Sequence, residues 1–211
     1  MNRQCGGTKA SANIALFDLG RVVLDWEPKR LYAKIFSDPD ACDRFLRDVC
    51  TMAWHTRHDA GASFADNAAP LIAQFPEFEA EIRAWGGRWM EMFDGYVDGV
   101  PALIEQLDAR SVPLFALSNM PAETWPLMEA HFPLLDRFAS VVVSGEIGLV
   151  KPDPDIFYYT LGLMGDVSPD EVLFIDDSPQ NIAAADALGF QTHHFEGAAG
   201  LERTLKAHGL L

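Results

Sequence analysis

Cysteine is scarce in this 211-residue sequence, and the three that occur, Cys5, Cys42 and Cys50, have no regular spacing. An odd number of unspaced cysteines argues against a disulfide framework and favours reduced thiols in a cytoplasmic protein. Residues 1–9 are polar and contain no apolar run, so we expect no signal peptide. No segment approaches the length of a membrane span, and we therefore expect a cytoplasmic protein without a membrane partner.

Positive charge is also scarce: 16 Lys and Arg residues stand against 31 Asp and Glu residues, which gives a net charge of −15 at pH 7. This balance disfavours nucleic acids and anionic membrane surfaces as partners. An anionic substrate would therefore need a metal ion or a few basic side chains close to it. Repeats and low-complexity tracts are absent too, which favours a globular chain, of unspecified oligomeric state.

What the sequence does contain is an alternation of strand-like and helix-like segments. Ile14–Phe17 is an apolar run that ends in a carboxylate, Asp18, as expected for a buried parallel strand. Beyond residue 99, strand-like and helix-like segments alternate to the C-terminus, which predicts an α/β fold with a doubly wound parallel sheet. Residues 27–94 lack strand-like runs and predict a helical cap inserted after the first strand.

The predicted boundaries divide the chain into a core of residues 1–26 and 95–211 and a cap of residues 27–94. The glycine-rich segment 94–99 is the expected hinge back into the core. Within the last cap helix, predicted over residues 78–93, Ile82, Trp85, Trp89 and Phe93 recur at helical spacing. We interpret this stripe as packing. The other predicted cap helices are 28–36, 39–49 and 63–74, and the later predicted strands are 112–117, 138–143, 172–175 and 190–195.

Polar residues follow the first strand and three later ones, and parallel strands bring their carboxyl ends to one edge of a sheet. Each polar residue alone could be a helix cap or a solvated charge, but their arrival at successive strand ends predicts a shared pocket. In chain order these residues are Asp18, Ser118 with Asn119, Lys151, and Asp176 with Asp177.

The chemistry of this set favours phosphoryl transfer. Three carboxylates without nearby Cys or His suit a hard cation with oxygen ligands, above all Mg²⁺. Asp18 could bind the metal with one oxygen and act as a nucleophile with the other. Mg²⁺ and Lys151 would neutralise a phosphoryl group whose oxygens Ser118 would hold.

The sequence resembles the haloacid dehalogenase (HAD) superfamily over nearly its whole length. The motifs that carry the resemblance are Phe17-Asp18-Leu19-Gly20, Leu117-Ser118-Asn119, Lys151-Pro152 and residues 175–181. The resemblance implies a Rossmann-like core, a helical cap, an aspartyl-phosphate on Asp18 and a small phosphorylated metabolite as substrate. It further implies Mg²⁺ ligands at Asp18, the backbone carbonyl of Gly20 and Asp177, with Asp176 direct or through water. By the same resemblance, Ser118, Asn119 and Lys151 bind the substrate and Asn181 lies nearby.

Gly20 departs from the superfamily pattern, because most of its phosphatases carry there an Asp that protonates the leaving oxygen. Such acid–base help is worth roughly 10²–10⁴-fold in rate. Asp-Leu-Gly is similar to the bacterial α-glucose-1-phosphate phosphatase type, so a sugar phosphate is one candidate substrate. A metal-independent 2-haloacid dehalogenase would also tolerate Gly20, but the acid pair Asp176-Asp177 favours the phosphatase. A weakly active HAD-like binding protein is a third interpretation.

The most polar and aromatic stretch of the predicted cap is residues 54–61. In the family a cap loop of this kind often faces the substrate, so Arg57 and His58 are predicted to bind substrate or to supply the missing proton. A zinc site from Cys50, His55 and His58 is a weaker alternative because the spacing is loose.

Overall fold

The computed structural model describes residues 12–165 and 167–211. Cys5 and the polar segment 1–9 lie outside the described residues. Cys42 and Cys50 are free and buried, as expected for reduced thiols. The strands are β1 (Ile14–Phe17), β2 (Leu24–Trp26), β3 (Phe93–Tyr96), β4 (Leu114–Ser118), β5 (Ser140–Val143), β6 (Val172–Asp176) and β7 (Gln191–His194).

The α-helices, several of them of a single turn, connect these strands. They are α1 (Lys29–Tyr32), α2 (Pro39–Asp48), α3 (Met52–Asp59), α4 (Phe64–Gln74), α5 (Glu79–Gly87), α6 (Val100–Ala109), α7 (Trp125–His131), α8 (Ser144–Ile147), α9 (Pro154–Leu163), α10 (Pro179–Ala187) and α11 (Ala198–Ala207). In the described ranges, no helix has the length and apolar character that crossing a membrane requires.

Five strands form one parallel sheet in the order β5-β4-β1-β6-β7, with β1 in the middle. All of β1 is buried. Its side chains alternate between two apolar clusters: Ala15 and Phe17 belong to one, and Ile14 and Leu16 to the other. The clusters cover opposite faces of the sheet, so the predicted doubly wound parallel sheet is confirmed.

The helices α1 to α5 form an insertion between two strands that pair with each other. β2 and β3 are antiparallel, with Leu24 opposite Tyr96 and Trp26 opposite Phe93. The prediction of one helix over residues 78–93 was therefore wrong at its end. Helix α5 stops at Gly87, a short 3-10 helix follows at Trp89–Met92, and Phe93 already lies in β3. Strand pairing with β2 overrides the helical spacing here, and part of the expected hinge is strand.

Helix α3 of the insertion was not predicted as a helix. It begins after Thr51, whose hydroxyl accepts a hydrogen bond from the Trp54 amide at 3.1 Å. One side of the helix packs Trp54 and His58 into an aromatic cluster, and Trp54 lies edge-on to Trp85 at 5.5 Å between ring centroids. The predicted packing role of Ile82 and Trp85 is confirmed by their burial.

Ser144, at the start of α8, joins the insertion to the sheet. Its buried hydroxyl donates to the Asp59 carbonyl at 2.7 Å and accepts from the Met120 amide at 2.9 Å. The next residue is glycine of necessity: a Cβ on Gly145 would lie 2.5 Å from the backbone nitrogen of Ala122. The C-terminal end of α3 is thereby held against the loop that follows β4.

Candidate active site

The carboxyl-end edge of the sheet brings together most of the polar residues that the sequence singled out. They line one cavity between the sheet and the insertion, bounded on the core side by Asp18, Gly20, Ser118, Asn119, Lys151, Asp177 and Asn181. Asp176 lies directly behind them and is fully buried. The predicted convergence of strand ends is therefore present in the structure.

Lys151 is the central cation of this edge and is 4% exposed. Its ammonium group lies 3.0 Å from Asp18 Oδ1 and 2.7 Å from Asp176 Oδ2, and it donates to the Leu117 carbonyl at 2.8 Å. Burial lowers the pKa of Lys151, but the charges of Asp18 and Asp176 outweigh it and hold the pKa above its usual range. Lys151 is therefore a permanent positive charge beside Asp18.

Asp176 is hydrogen-bonded at both carboxyl oxygens. Oδ1 accepts from the Ser178 amide at 2.8 Å and from Asn181 Nδ2 at 3.0 Å, while Oδ2 accepts from Lys151 Nζ and Asn181 Nδ2. These bonds occupy the lone-pair positions of a carboxylate. Asp176 thus anchors Lys151 and Asn181.

Asp18 is 8% exposed and retains capacity for a ligand. Its Oδ1 accepts from the Leu19 amide at 2.7 Å and contacts Lys151, whereas Oδ2 makes no hydrogen bond within the described ranges. Burial raises the pKa of Asp18 to about 7; Lys151 opposes this shift and Asp176 adds to it. A cation bound beside this carboxylate would favour its ionised form.

The carboxylates of Asp18, Asp176 and Asp177 can each offer an oxygen within 4.8 Å of the others. Burial, followed by the charge of Asp176, raises the pKa of half-buried Asp177. An all-oxygen donor set with excess negative charge fits a hard divalent cation. Gly20 also lines the cavity, and a Cβ placed on it would meet nothing within 4 Å.

Ser118 and Asn119 have different surroundings. Ser118 is buried at the end of β4, and its hydroxyl is free of protein partners in the described part of the chain. The Asn119 amide pairs with the Lys151 backbone, donating to its carbonyl at 2.9 Å and accepting from its N–H at 2.8 Å. Asn119 therefore positions Lys151 while also bordering the cavity.

The two predicted cap residues do not face the cavity. Arg57 is exposed on the outer side of α3. His58 is fully buried; its Nε2 lies 3.1 Å from Asn67 Nδ2 and its Nδ1 lies 3.4 Å from the Ala62 carbonyl. The weaker zinc alternative gains no support, because the metal-compatible group found among the described residues contains carboxylates alone.

A different face of α3 lines the cavity, formed by Met52, His55, Thr56 and Asp59. Their spacing of three, four and seven residues is that of one helix face, a signal present in the sequence. His55 and Asp59 are both buried, with His55 Nε2 3.4 Å from Asp59 Oδ1. Burial, followed by the charge of His58, lowers the pKa of His55 to about 3, so the ring is neutral.

Comparison with known proteins agrees with this geometry. A family model described as haloacid dehalogenase-like hydrolase matches residues 16–189. The sesquiterpene phosphatase astK of Aspergillus oryzae is 31% identical over 194 residues, which cover 85% of this chain and 88% of that protein. Phosphoglycolate phosphatase of Yersinia pseudotuberculosis is 30% identical over 124 residues, 59% of this chain; the match spans about half of that enzyme's length, 52%.

A solved structure from Bacteroides thetaiotaomicron, a HAD family enzyme in complex with magnesium and inorganic phosphate, shares the fold. Its TM-score is 0.66 at 22% sequence identity, covering 88% of this chain and 95% of that chain. The match to the family model runs from within β1 to the end of α10 and includes each of the recognised motifs. This chain belongs to the haloacid dehalogenase-like hydrolases.

Proposed function

We propose that this hydrolase is a Mg²⁺-dependent phosphatase that cleaves a small phosphorylated metabolite of the cytoplasm through an aspartyl-phosphate on Asp18. The observation that carries the proposal is the ion pair between the buried Asp18 carboxylate and buried Lys151, next to a group of three carboxylates whose oxygens could hold a metal ion. The phosphatase names of two relatives and the magnesium and phosphate bound by a structural neighbour support it.

The residues present fit a magnesium ion. Asp18 and Asp177 have free carboxylate capacity, and Gly20 could add its backbone carbonyl, as the family resemblance implies. Asp176 is an outer partner on this proposal, because both of its oxygens are already hydrogen-bonded. When bound, the ion would neutralise charge on the phosphoryl group and on Asp18.

The chain's own residues then have separate tasks. Asp18 Oδ2 attacks phosphorus, and the bond from phosphorus to the leaving oxygen breaks. Lys151 offsets the negative charge on the phosphoryl oxygens, and the Ser118 hydroxyl donates to one of them. Asn119 and Asp176 hold Lys151 in place through its backbone and its ammonium group, respectively.

The far side of the cavity favours an apolar organic group on the substrate. Its walls combine aromatic rings with aliphatic side chains, a surface that suits an apolar group better than the many hydroxyls of a sugar. The apolar lining residues are Leu24, Trp26, Met52, Trp89, Phe93 and Met120. We therefore propose phosphate monoesters of apolar alcohols ahead of the sugar phosphate that the Asp-Leu-Gly motif suggested; the 31% identity to a sesquiterpene phosphatase supports this order.

The predicted domain boundaries fit this division of labour. On this proposal, residues 27–94 are a cap that contacts the organic group, and residues 1–26 and 95–211 are the catalytic core. Trp89 and Phe93, which the helical spacing assigned to packing, also line the cavity.

A screen of phosphate esters tests the proposal directly. Prenyl monophosphates, glucose 1-phosphate, phosphoglycolate and 2-chloropropionate are incubated with the enzyme in Mg²⁺ and in EDTA. We expect Mg²⁺-dependent phosphate release, fastest from the prenyl ester. Halide release in EDTA would instead support the dehalogenase alternative, and turnover of no ester would support a binding protein.

A further inference from the structure

Helix α3 brings one carboxylic acid into the cavity. Among the insertion's described residues that line it, Asp59 is the acidic one, and it is 5% exposed. Its position is fixed from the core, because its own carbonyl accepts the 2.7 Å hydrogen bond from Ser144. Asp59 therefore faces the same space as the nucleophile Asp18 from the opposite wall.

The carboxyl group of Asp59 is left without hydrogen-bond partners in the described structure. Its buried Oδ1 has none, although His55 Nε2 approaches to 3.4 Å. Buried polar atoms are nearly always paired, so an unpaired carboxyl in a cavity is unusual in a folded protein. The Asp59 carboxyl group is therefore free to form a hydrogen bond with a molecule bound in the cavity.

The proposed reaction requires a proton at the leaving oxygen, since an alkoxide is a poor leaving group. Asp18 is occupied as the nucleophile. Two carboxylates keep Lys151 protonated, so it does not give its proton to the leaving oxygen. Arg21 also lines the cavity, but a guanidinium group is not a proton donor for catalysis in proteins. Gly20 contributes no side chain, and the space next to it is open.

We propose that Asp59 is the catalytic acid and base of this enzyme, an inference that rests on the proposed phosphatase function. As Asp18 Oδ2 bonds to phosphorus, the leaving oxygen takes the Asp59 proton and departs as the alcohol. Water then attacks phosphorus and gives a proton to the Asp59 carboxylate. The bond between phosphorus and Asp18 breaks, which releases inorganic phosphate and restores both carboxyl groups.

The electrostatic surroundings suit this cycle. Burial raises the pKa of Asp59 to about 7; Lys151 lowers it and the charge of Asp18 raises it further. Neighbouring His55 is neutral, so it has no imidazolium proton to give to the leaving oxygen. A carboxylic acid that is half protonated near neutral pH can give up a proton and recover it within one turnover.

The test compares Asp59→Asn with wild type on two esters, one of a simple alcohol and one of p-nitrophenol, whose anion leaves without a proton. For the alkyl ester we expect kcat/KM to fall about 10²–10⁴-fold. For the aryl ester kcat/KM should change little, because its leaving group needs no proton. Hydrolysis of the phosphoenzyme should be slow, because water is no longer activated. The variant should therefore release a burst of nitrophenolate, and its phosphoenzyme should be detected by intact mass after acid quenching.

Gly20→Asp in the Asp59→Asn background provides a rescue, because a side chain at residue 20 enters open space on the nucleophile's side. It should restore much of the alkyl-ester activity. Asp136→Asn is the matched control, since Asp136 is exposed and makes no hydrogen bond in the part of the chain described; it should leave both esters unaffected.

Equal losses on the two esters, or none, would overturn the role of Asp59. Should Asp59→Asn fail to fold, wild type alone still decides: its kcat/KM should depend weakly on the acidity of the leaving alcohol, and a steep dependence would show that no proton is supplied. Wild type that releases phosphate from neither ester would instead defeat the proposed function.

Discussion

The two walls of the cavity differ in how their charged groups are paired. On the sheet side, Asp176 has partners at both oxygens, and Lys151 has three. On the insertion side, Trp89 Nε1, His55 Nδ1 and Asp59 Oδ1 are buried without a partner. The charges of Lys151 and Asp176 on the sheet side are thus fixed in one arrangement. The insertion side combines apolar surface with unused hydrogen-bonding capacity.

The largest expected effect comes from the sheet wall. Asp18→Asn removes the proposed nucleophile, so phosphate release should fall by at least about 10³-fold. The fold should be retained, because the neutral amide is easier to bury than the carboxylate and Lys151 keeps its bond to Asp176. Phosphate release and the unfolding midpoint are measured together; substantial residual turnover would remove Asp18 from this role.

Asp177→Asn should weaken metal binding and spare the fold, because Asp177 is half-buried and takes no part in the Lys151 network. We expect the Mg²⁺ concentration for half-maximal activity to rise about 10²-fold. Asp176→Asn is the contrasting variant: it should cost about 3–5 kcal/mol of stability, because Asp176 is fully buried and an amide group cannot accept all the hydrogen bonds that its two oxygens accept from Lys151, Ser178 and Asn181. An unchanged Mg²⁺ requirement in Asp177→Asn would contradict the assignment.

Asp59, on the insertion wall, should make the stability of the metal-free protein depend on pH. The folded pKa of Asp59, about 7, lies above the ordinary value of 3.8. The protonated acid is therefore favoured by folding, and this stability is lost as pH rises through about 7. Between pH 5 and pH 8, Asp59→Asn should lose about 2 kcal/mol less free energy of unfolding than wild type. If wild type and Asp59→Asn lose the same free energy of unfolding between pH 5 and pH 8, the raised pKa is contradicted.

The smallest predicted effect concerns the apolar surface of the insertion. Met52 lines the cavity and is 49% exposed, so Met52→Gln should not disturb the fold. We expect kcat/KM for a prenyl phosphate to fall about 10-fold, with phosphoglycolate unaffected. Leu127→Gln, at a residue 51% exposed away from the cavity, is the matched control. Equal losses on both substrates would count against an apolar substrate.

The sheet wall was predictable from the sequence because each of its elements carries a local signal. An apolar run such as Ile14–Phe17 marks a buried strand, and the carboxylate after it marks the sheet edge. Because parallel strands share that edge, Asp18, Ser118 and the acid pair at Asp176 could be placed together. The sequence could not show that Lys151 also pairs with Asp176, because that contact joins side chains 25 positions apart.

The insertion wall was not predictable in the same way. Helix α3 divides its apolar and aromatic residues between two environments, with Trp54 and His58 in the aromatic cluster and Met52 at the cavity. No single hydrophobic stripe results, so neither the helix nor its cavity-facing side was apparent. The position of Asp59 is fixed by a hydrogen bond from Ser144 to its backbone carbonyl, and Ser144 is far away in sequence. The helical spacing alone could have placed Met52, His55 and Asp59 on one face, but it could not have shown that this face lines the cavity.

The paired strands β2 and β3 mean that the chain leaves the core and re-enters it at neighbouring points. A segment attached through adjacent ends can be shortened, lengthened or exchanged for another without changing the strand order of the sheet or the position of Asp18. Grafting the segment of a relative with a different substrate onto these two strands should therefore give chimeras that fold. Duplication and divergence of such a gene could produce new substrate preferences while leaving the residues at the sheet edge untouched.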